Sequence, residues 1–227
     1  MKLCLFLILF SNFLSTLDAQ VFQPSELDSL YREDQFYVSL TYNALINLPN
    51  NTSQNSFSTG VHFGAVRDFP LNECRNIALA LGLGYSFNTF NQNIRINGSN
   101  PATYIIIEGS NYSKNNFSQH VLEVPFELRW RTSNAESYKF WRVYTGLKLG
   151  YIIASKSEFS YGSIHEIQRN LKDLNRLQYG LTLSVGYNTW NGFIYYGLNP
   201  IFDDVSTISL QPIEMSILKV GLIFYIL

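Results

Sequence analysis

Four charged side chains sit at alternate positions in residues 120–132, HVLEVPFELRWRT: Glu123, Glu127, Arg129 and Arg131. Two carboxylates on one face of an extended strand are a pair that acid–base chemistry can use. The guanidiniums beside them make ion pairing the simpler chemistry. The other histidine-based option is hydrolysis. His62, His120 and His165 are the only histidines, and His120 with Ser118 is the nearest Ser–His pair, without an acid at a recognisable spacing. Neither HExxH, nor GxSxG, nor a glycine-rich phosphate loop occurs. Cys4 and Cys74 are the only cysteines, and Cys4 lies in the leader, so no disulfide or zinc site is expected. The expectation is therefore a protein that is not an enzyme and has no catalytic residue, cofactor or metal.

The elements that must position these charges have a period of two. In the quoted stretch Leu122, Val124, Phe126, Leu128 and Trp130 alternate with the charges. Seven more runs alternate in the same way. They are led by Phe36–Ala44, Phe57–Ala65, Ile77–Phe87, Trp141–Ile153, Leu177–Tyr187 and Ile194–Leu198, with the last from about Met215 to the end. A hairpin turn is expected at Trp190-Asn191-Gly192-Phe193, since Asn-Gly favours two-residue turns. Helical periodicity is nearly absent; only Glu166–Asn175 reads as a helical turn within a loop. The polar connections near 46–56, 94–117, 160–174 and 200–213 are long, and those near 68–75, 132–139 and 190–192 are short. Residues 1–19, with Lys2 ahead of an apolar core, read as a cleaved signal peptide. Residues 20–35 read as a polar periplasmic lead-in, and 36–227 as one domain. The net charge of −1 gives no basic field for nucleic acid.

Eight alternating strands fit two barrels. A secreted lipocalin-like barrel turns its apolar face inward, and a membrane barrel turns it outward. The weaker face carries Gly82, Gly84, Gly146, Gly150, Gly180 and Gly186, as a crowded lumen requires, whereas a solvated strand face carries larger polar residues. The apolar face carries Phe36, Tyr42, Tyr85, Phe87, Trp130, Trp141, Tyr151, Tyr179 and Tyr187 near strand ends, as interfacial girdles do. An Arg or Lys turned to lipid at the midplane costs roughly 2–4 kcal/mol. The fold class expected is all-β: an eight-stranded antiparallel up-and-down transmembrane β-barrel in an outer membrane. Its lumen should hold a structural charge cluster of Glu123, Glu127, Arg129, Arg131, Arg142 and Lys148, joined by Lys219. One register across the turn at 132–139 sets Glu123 opposite Lys148, Glu127 opposite Tyr144 and Arg129 opposite Arg142. The cluster reads as a plug, with an ion or proton path as the alternative. Pro125 removes a ladder donor, so a bulge is expected there. Tyr104-Ile105-Ile106-Ile107 reads as a hairpin extending the third and fourth strands above the membrane, or else as an exposed docking patch.

The last strand holds Lys219-x-Gly221-x-x-Phe224-x-Ile226 at the terminus, a pattern similar to the C-terminal signal that barrel-insertion machinery reads. The segments "LEVPFELRWR", "KFWRVYTGLKLGY", "NRLQYGLTLSVGY", "GYNTWN" and "KVGLIFYIL" together resemble the PorT-type outer-membrane β-barrels of Bacteroidetes, often called porin family proteins. The resemblance spans nearly all of the mature chain. It implies an eight-stranded outer-membrane barrel without a catalytic motif. Some PorT relatives serve type IX secretion, which adds secretion-system or periplasmic proteins to the expected partners, beside outer-membrane lipid and the insertion machinery. The function expected is a small barrel without an open pore, in a structural or interaction role. The alternatives are passage of small solutes or ions through the barrel, and a soluble ligand-binding barrel.

Overall fold

The computed structural model describes residues 34–54, 56–98, 102–109, 112–132 and 140–226. The expected signal peptide and all but two residues of the lead-in lie outside the described residues.

Alternation of large apolar with small or polar residues gives strands that can cover a hydrocarbon face and a lumen at once. They are β1 (Asp34–Ile46), β2 (Thr59–Pro70), β3 (Ile77–Asn91), β4 (Ile94–Asn97), β5 (Thr103–Ile106), β6 (Lys114–Arg131), β7 (Trp141–Tyr161), β8 (Ile164–Arg169), β9 (Leu177–Tyr187), β10 (Trp190–Gly197) and β11 (Ser216–Ile226). Eight of them form an antiparallel barrel in the order β6-β3-β2-β1-β11-β10-β9-β7, closed by the pairing of β6 with β7. β4 and β5 form a separate hairpin, and β8 pairs with the upper part of β7. The strand β8 replaces the helical turn expected at 166–175: its residues meet β7 one for one, from Lys156↔Arg169 to Tyr161↔Ile164. β1 starts at Asp34, two residues before the expected domain edge.

The large apolar face is the outer one. Leu83, Phe126, Leu147, Leu149, Leu181 and Leu183 are all exposed, whereas His62, Glu123, Arg129 and Lys148 are buried. An inward apolar face, as in a soluble ligand-binding barrel, is thereby excluded. At the short-loop end the outward side chains include Trp130, Trp141, Tyr187 and Trp190; near the other end they include Tyr42, Phe87 and Tyr151. Long loops lie on the outer side of such barrels, which orients the molecule. The glycines of the inner face make room across a narrow lumen. A Cβ on Gly84 would lie 2.0 Å from the Tyr37 hydroxyl.

Three local expectations are corrected. The two-residue turn is Asn188–Thr189, flanked by the pair Tyr187↔Trp190, and Asn188 adopts a left-handed φ of 57°. A turn at Asn191-Gly192 would send Trp190 into the filled lumen. The observed turn leaves Trp190 65% exposed on the outer face and turns Asn191 inward. Second, Pro125 causes no bulge. The β3–β6 pairing lapses between Leu81↔Phe126 and Gly84↔Glu123 without a change of register. The bulge lies instead at His120/Val121, where Ile153 of β7 is the extra residue. Third, the β6–β7 register sets Glu123 opposite Gly150, Glu127 opposite Gly146, Arg129 opposite Tyr144 and Arg131 opposite Arg142. Glu123 and Glu127 thus face glycines and Arg129 a ring, two positions from the expected register, while Arg131 faces a second arginine.

β4 and β5 do pair as a hairpin, but one that folds inward over the barrel mouth. Ile94, Ile96 and Tyr104 are buried with Phe90, Phe117, Leu171, Phe202 and Met215, the outer part of the apolar cluster that continues into the lumen. The face of the barrel wall is testable directly. Leu147→Arg should lower stability in a bilayer by roughly 2–4 kcal/mol, measured by denaturant titration in vesicles. An unchanged midpoint would contradict an outward, lipid-facing Leu147.

Candidate functional site

The lumen holds two polar layers. The layer nearer the short-turn end centres on Arg129. Its Nη1 donates to Asp68 Oδ1 at 2.8 Å and to Gln35 Oε1 at 3.3 Å, and its Nε and Nη2 donate to Glu127 Oε2 at 3.0 and 2.9 Å. Arg131 Nη1 donates to the other oxygen of Asp68 at 2.8 Å. Its Nε donates to the Arg75 carbonyl at 2.9 Å, which ties the layer to the turn between β2 and β3. The Arg129 guanidinium also lies 4.5 Å from the Tyr144 ring centre and 5.0 Å from that of Tyr225. Arg142 is placed on the same face, directly opposite Arg131, and lies 4.4 Å over the Phe140 ring. Among the described residues no carboxylate forms an ion pair with Arg142. Like charges on facing residues repel, and Asp68 bridging Arg129 and Arg131 supplies the compensation.

The upper layer centres on Glu123. Lys148 Nζ donates to Oε2 at 3.0 Å and Ser86 Oγ to Oε1 at 2.8 Å, while His62 Nδ1 is hydrogen-bonded at 3.0 Å and Lys219 Nζ stands 3.9 Å away. From His62 the bonding continues through Thr41 (3.2 Å), Asn43 (2.8 Å) and Asn88 (3.3 Å) back to Ser86 (2.9 Å). Six side chains from four strands thus close a ring across the lumen. Both lysines lie near aromatic faces: Lys148 is 4.9 Å from the Phe193 ring centre and Lys219 5.1 Å from that of Tyr195. Every carboxylate in the two layers is buried with cationic or hydrogen-bonding partners, the condition for ionised groups in a low-dielectric interior.

Of the cluster read from sequence, Glu123, Lys148 and Lys219 meet in the upper layer, and Glu127, Arg129, Arg131 and Arg142 gather in the lower one. Asp68, Gln35, Thr41, Asn43, Ser86 and Asn88 are additions to that cluster; His62 lies in the lumen, as its place on the small-residue face implies, and joins the cluster through Glu123. The signal for Asp68 was available: Gly60, His62, Gly64, Val66 and Asp68 keep inward parity. The outward Arg67 breaks the apolar alternation that marks the strand, so the alternation stops at Ala65, five residues short of the strand's end at Pro70. In the terminal pattern Lys219 points inward, Gly221 lies so close to the neighbouring strand that a Cβ would sit 2.0 Å from the Leu40 carbonyl, and Ile226 is outward and exposed. Ser118 and His120 do not come together. Ser118 Oγ donates to the Lys156 carbonyl, and His120 is bonded to the Tyr85 hydroxyl. The pair that does form is Ser160 with His165 at 2.7 Å, on the exposed edge strand.

Above the barrel, Arg95 makes a two-point ion pair with Glu166, which raises the guanidinium pKa above its ordinary value. Tyr104 donates to Asp173 at 3.2 Å. These contacts fix the β4–β5 hairpin to β8 and to the loop after it.

A closed barrel with apolar walls, a charged lumen and long outer loops is an integral barrel of an outer membrane. The chain belongs to the outer membrane protein beta-barrel domain family, whose model matches residues 19–203. Among solved structures it is similar to the crystal structure of Ail, the attachment invasion locus protein of Yersinia pestis. The identity is 13% over 85% of this chain and 98% of that one, with a TM-score of 0.32. It is likewise similar to the same protein in complex with the heparin analogue sucrose octasulfate, at 14% identity over 85% and 99% of the two chains, with a TM-score of 0.30. No curated protein sequence matches the chain.

The lower layer is the more demanding of the two, since one carboxylate serves two buried guanidiniums. Asp68→Asn should cost roughly 3–5 kcal/mol, read as a fall in the temperature at which the folded band shifts on a semi-native gel. In the upper layer Glu123→Gln should lower that temperature, and adding Lys148→Met should restore part of it. Strict additivity of the two changes would contradict a direct contact.

Proposed function

We propose that this protein is a small outer-membrane barrel without an open pore, serving as a structural or interaction module. The observation that carries the reading is the stacking of three obstructions along the barrel axis. These are the Asp68–Arg129–Glu127 layer, the Glu123 ring above it, and the apolar cap built on Phe90, Tyr104, Phe117 and Phe202. A lumen of eight strands is narrow enough for side chains to fill, and here they bond to one another instead of lining a water path.

The parts left for contact are the outer loops and the short turns. The resemblance to PorT-type barrels directs the search for partners to type IX secretion components and periplasmic proteins. Lys219, Gly221, Phe224 and Ile226 would serve the insertion machinery during assembly, and Lys219 would then stay in use as a partner of Glu123. A transport role would need the layers to part. Purified protein in planar bilayers should give no steady large-step current. Sustained conductance steps from the pure protein would overturn the closed-barrel reading. Crosslinking in native membranes followed by mass spectrometry should recover partners on loop or turn residues; recovery of lipid-belt contacts alone would contradict the interaction role.

A further inference from the structure

The bulge at Ile153 has an effect on the outer wall. Below it the outward residues of β7 are odd-numbered: Leu147, Leu149, Tyr151 and Ile153. Above it the even-numbered Lys156, Glu158 and Ser160 are less buried than Ser155, Ser157 and Phe159, so the parity has reversed. The partner strand β6 keeps one parity throughout, with Leu122, Val124 and Phe126 below His120, and Ser118, Asn116 and Lys114 above it. Both strands therefore pass from apolar to polar on their outer face at the level of His120 and Ile153. That level is the outer edge of the lipid belt. The next outward row lies two residues higher, about 7 Å along a strand, where lipid headgroups stand.

That row is cationic on this sector. Lys156 is directly opposite Arg169 of β8. Lys114, Lys156, Arg169 and His120 line one cleft with Phe87 and Ser118, with a volume of about 510 Å³. Glu158 accepts from Lys156 at 2.6 Å and from Lys114 at 2.9 Å, and these two bonds hold its carboxyl down at about 2. One carboxylate thus stands against two lysines and an arginine, and no ion pair among the described residues involves Arg169. Two like charges facing each other across a strand pair are unfavourable unless an anion lies between them. Of the other acidic residues on the outer side, Glu166 is paired with Arg95 and Asp173 accepts from Tyr104; neither these two nor Asp203, Asp204 and Glu214 line the cleft.

We propose that this cleft binds the phosphate headgroup of an outer-leaflet lipid, with Lys156 and Arg169 as the paired donors and Lys114 at the rim. The acyl chains of that lipid lie along Phe87, Leu122, Tyr151 and Ile153, which are outward and apolar immediately below. The bulge is the device that makes the site. Without it Lys156 would share the parity of Lys148 and point inward. Phosphate is favoured over other anions because the donors meet at the height a membrane phosphate occupies, beside an apolar wall that continues downward.

The test uses the full chain refolded in phosphatidylcholine nanodiscs doped with phosphorylated lipid A or with its dephosphorylated form. Lipid retained per barrel after detergent exchange is counted by mass spectrometry. Wild type should retain the phosphorylated lipid at least about tenfold better than the dephosphorylated one. The double substitution Lys156→Gln with Arg169→Gln should remove that preference. The pair Arg67→Gln with Lys172→Gln, which removes the same charge elsewhere, should keep it. Semi-native gels confirm that all forms are folded. Inorganic phosphate alone should not displace the lipid, since the acyl contacts add to the hold. Equal retention of both lipids by wild type, retention unchanged in the cleft variant, loss in the control variant, or displacement by free phosphate would each overturn the proposal.

Discussion

In hydrocarbon no water is present to satisfy a backbone N–H or C=O, so a sheet that crosses a membrane must close on itself. Here closure depends on the pairing of the first strand with the last, β1 with β11, a ladder that runs from Phe36↔Ile226 to Ile46↔Ser216. The rest of the structure follows from that seam. Eight strands give a lumen too narrow for a stream of water. Any charge turned inward must then find its counter-charge among the residues of the wall.

That requirement explains the composition of the lumen. β6 brings Glu123, Glu127, Arg129 and Arg131 on one face, an arrangement that no lipid-facing strand could bear. Asp68, Lys148 and Lys219 come from three other strands to meet them. Some of the contacts that make the charges tolerable also cross-brace the barrel: Asp68 and Lys219 reach β6 from β2 and β11, strands distant from it in sequence. Ion pairs of this kind add little net stability compared with a well-packed apolar interior. They do fix register, since a slip of one residue would throw every one of them into the lipid. The cap of β4, β5 and the later loops closes the outer mouth by a separate means, apolar packing. Obstruction by both means is why an interaction role fits the molecule better than conduction.

Much of the barrel was legible in the sequence because its signal is repeated eight times and every repeat must agree about which face meets lipid. The small-residue face marks the lumen. What escaped was set by contacts between strands, which periodicity does not encode. Asp68 was hidden behind Arg67, a charge on the outer face that hides the strand's continuation. The Asn191-Gly192 dipeptide has the chemistry of a turn, but the need to keep Trp190 on the outer face moved the turn to Asn188–Thr189. Pro125 lost its ladder bond without a bulge, since a lapse in pairing with β3 was enough. The bulge went to Ile153, where the strand leaves the membrane and a change of parity is useful. Parity alone puts Glu123, Glu127, Arg129, Arg131, Arg142, Lys148 and Lys219 on one face, but it does not divide them into two layers. That division depends on which residues reach each carboxylate, Lys148 and His62 at Glu123 and Arg129 at Glu127.

The account stands on lipid wetting the greasy side of the wall. Spin labels placed singly at Leu147 and Leu183, with a third at the buried Thr182 for contrast, measure this most directly when the barrel is reconstituted in vesicles. Collision with dissolved oxygen should dominate at the first two positions, and neither oxygen nor a water-soluble nickel chelate should reach the third freely. A nickel response at Leu147 and Leu183 would mean that water, not lipid, covers that face.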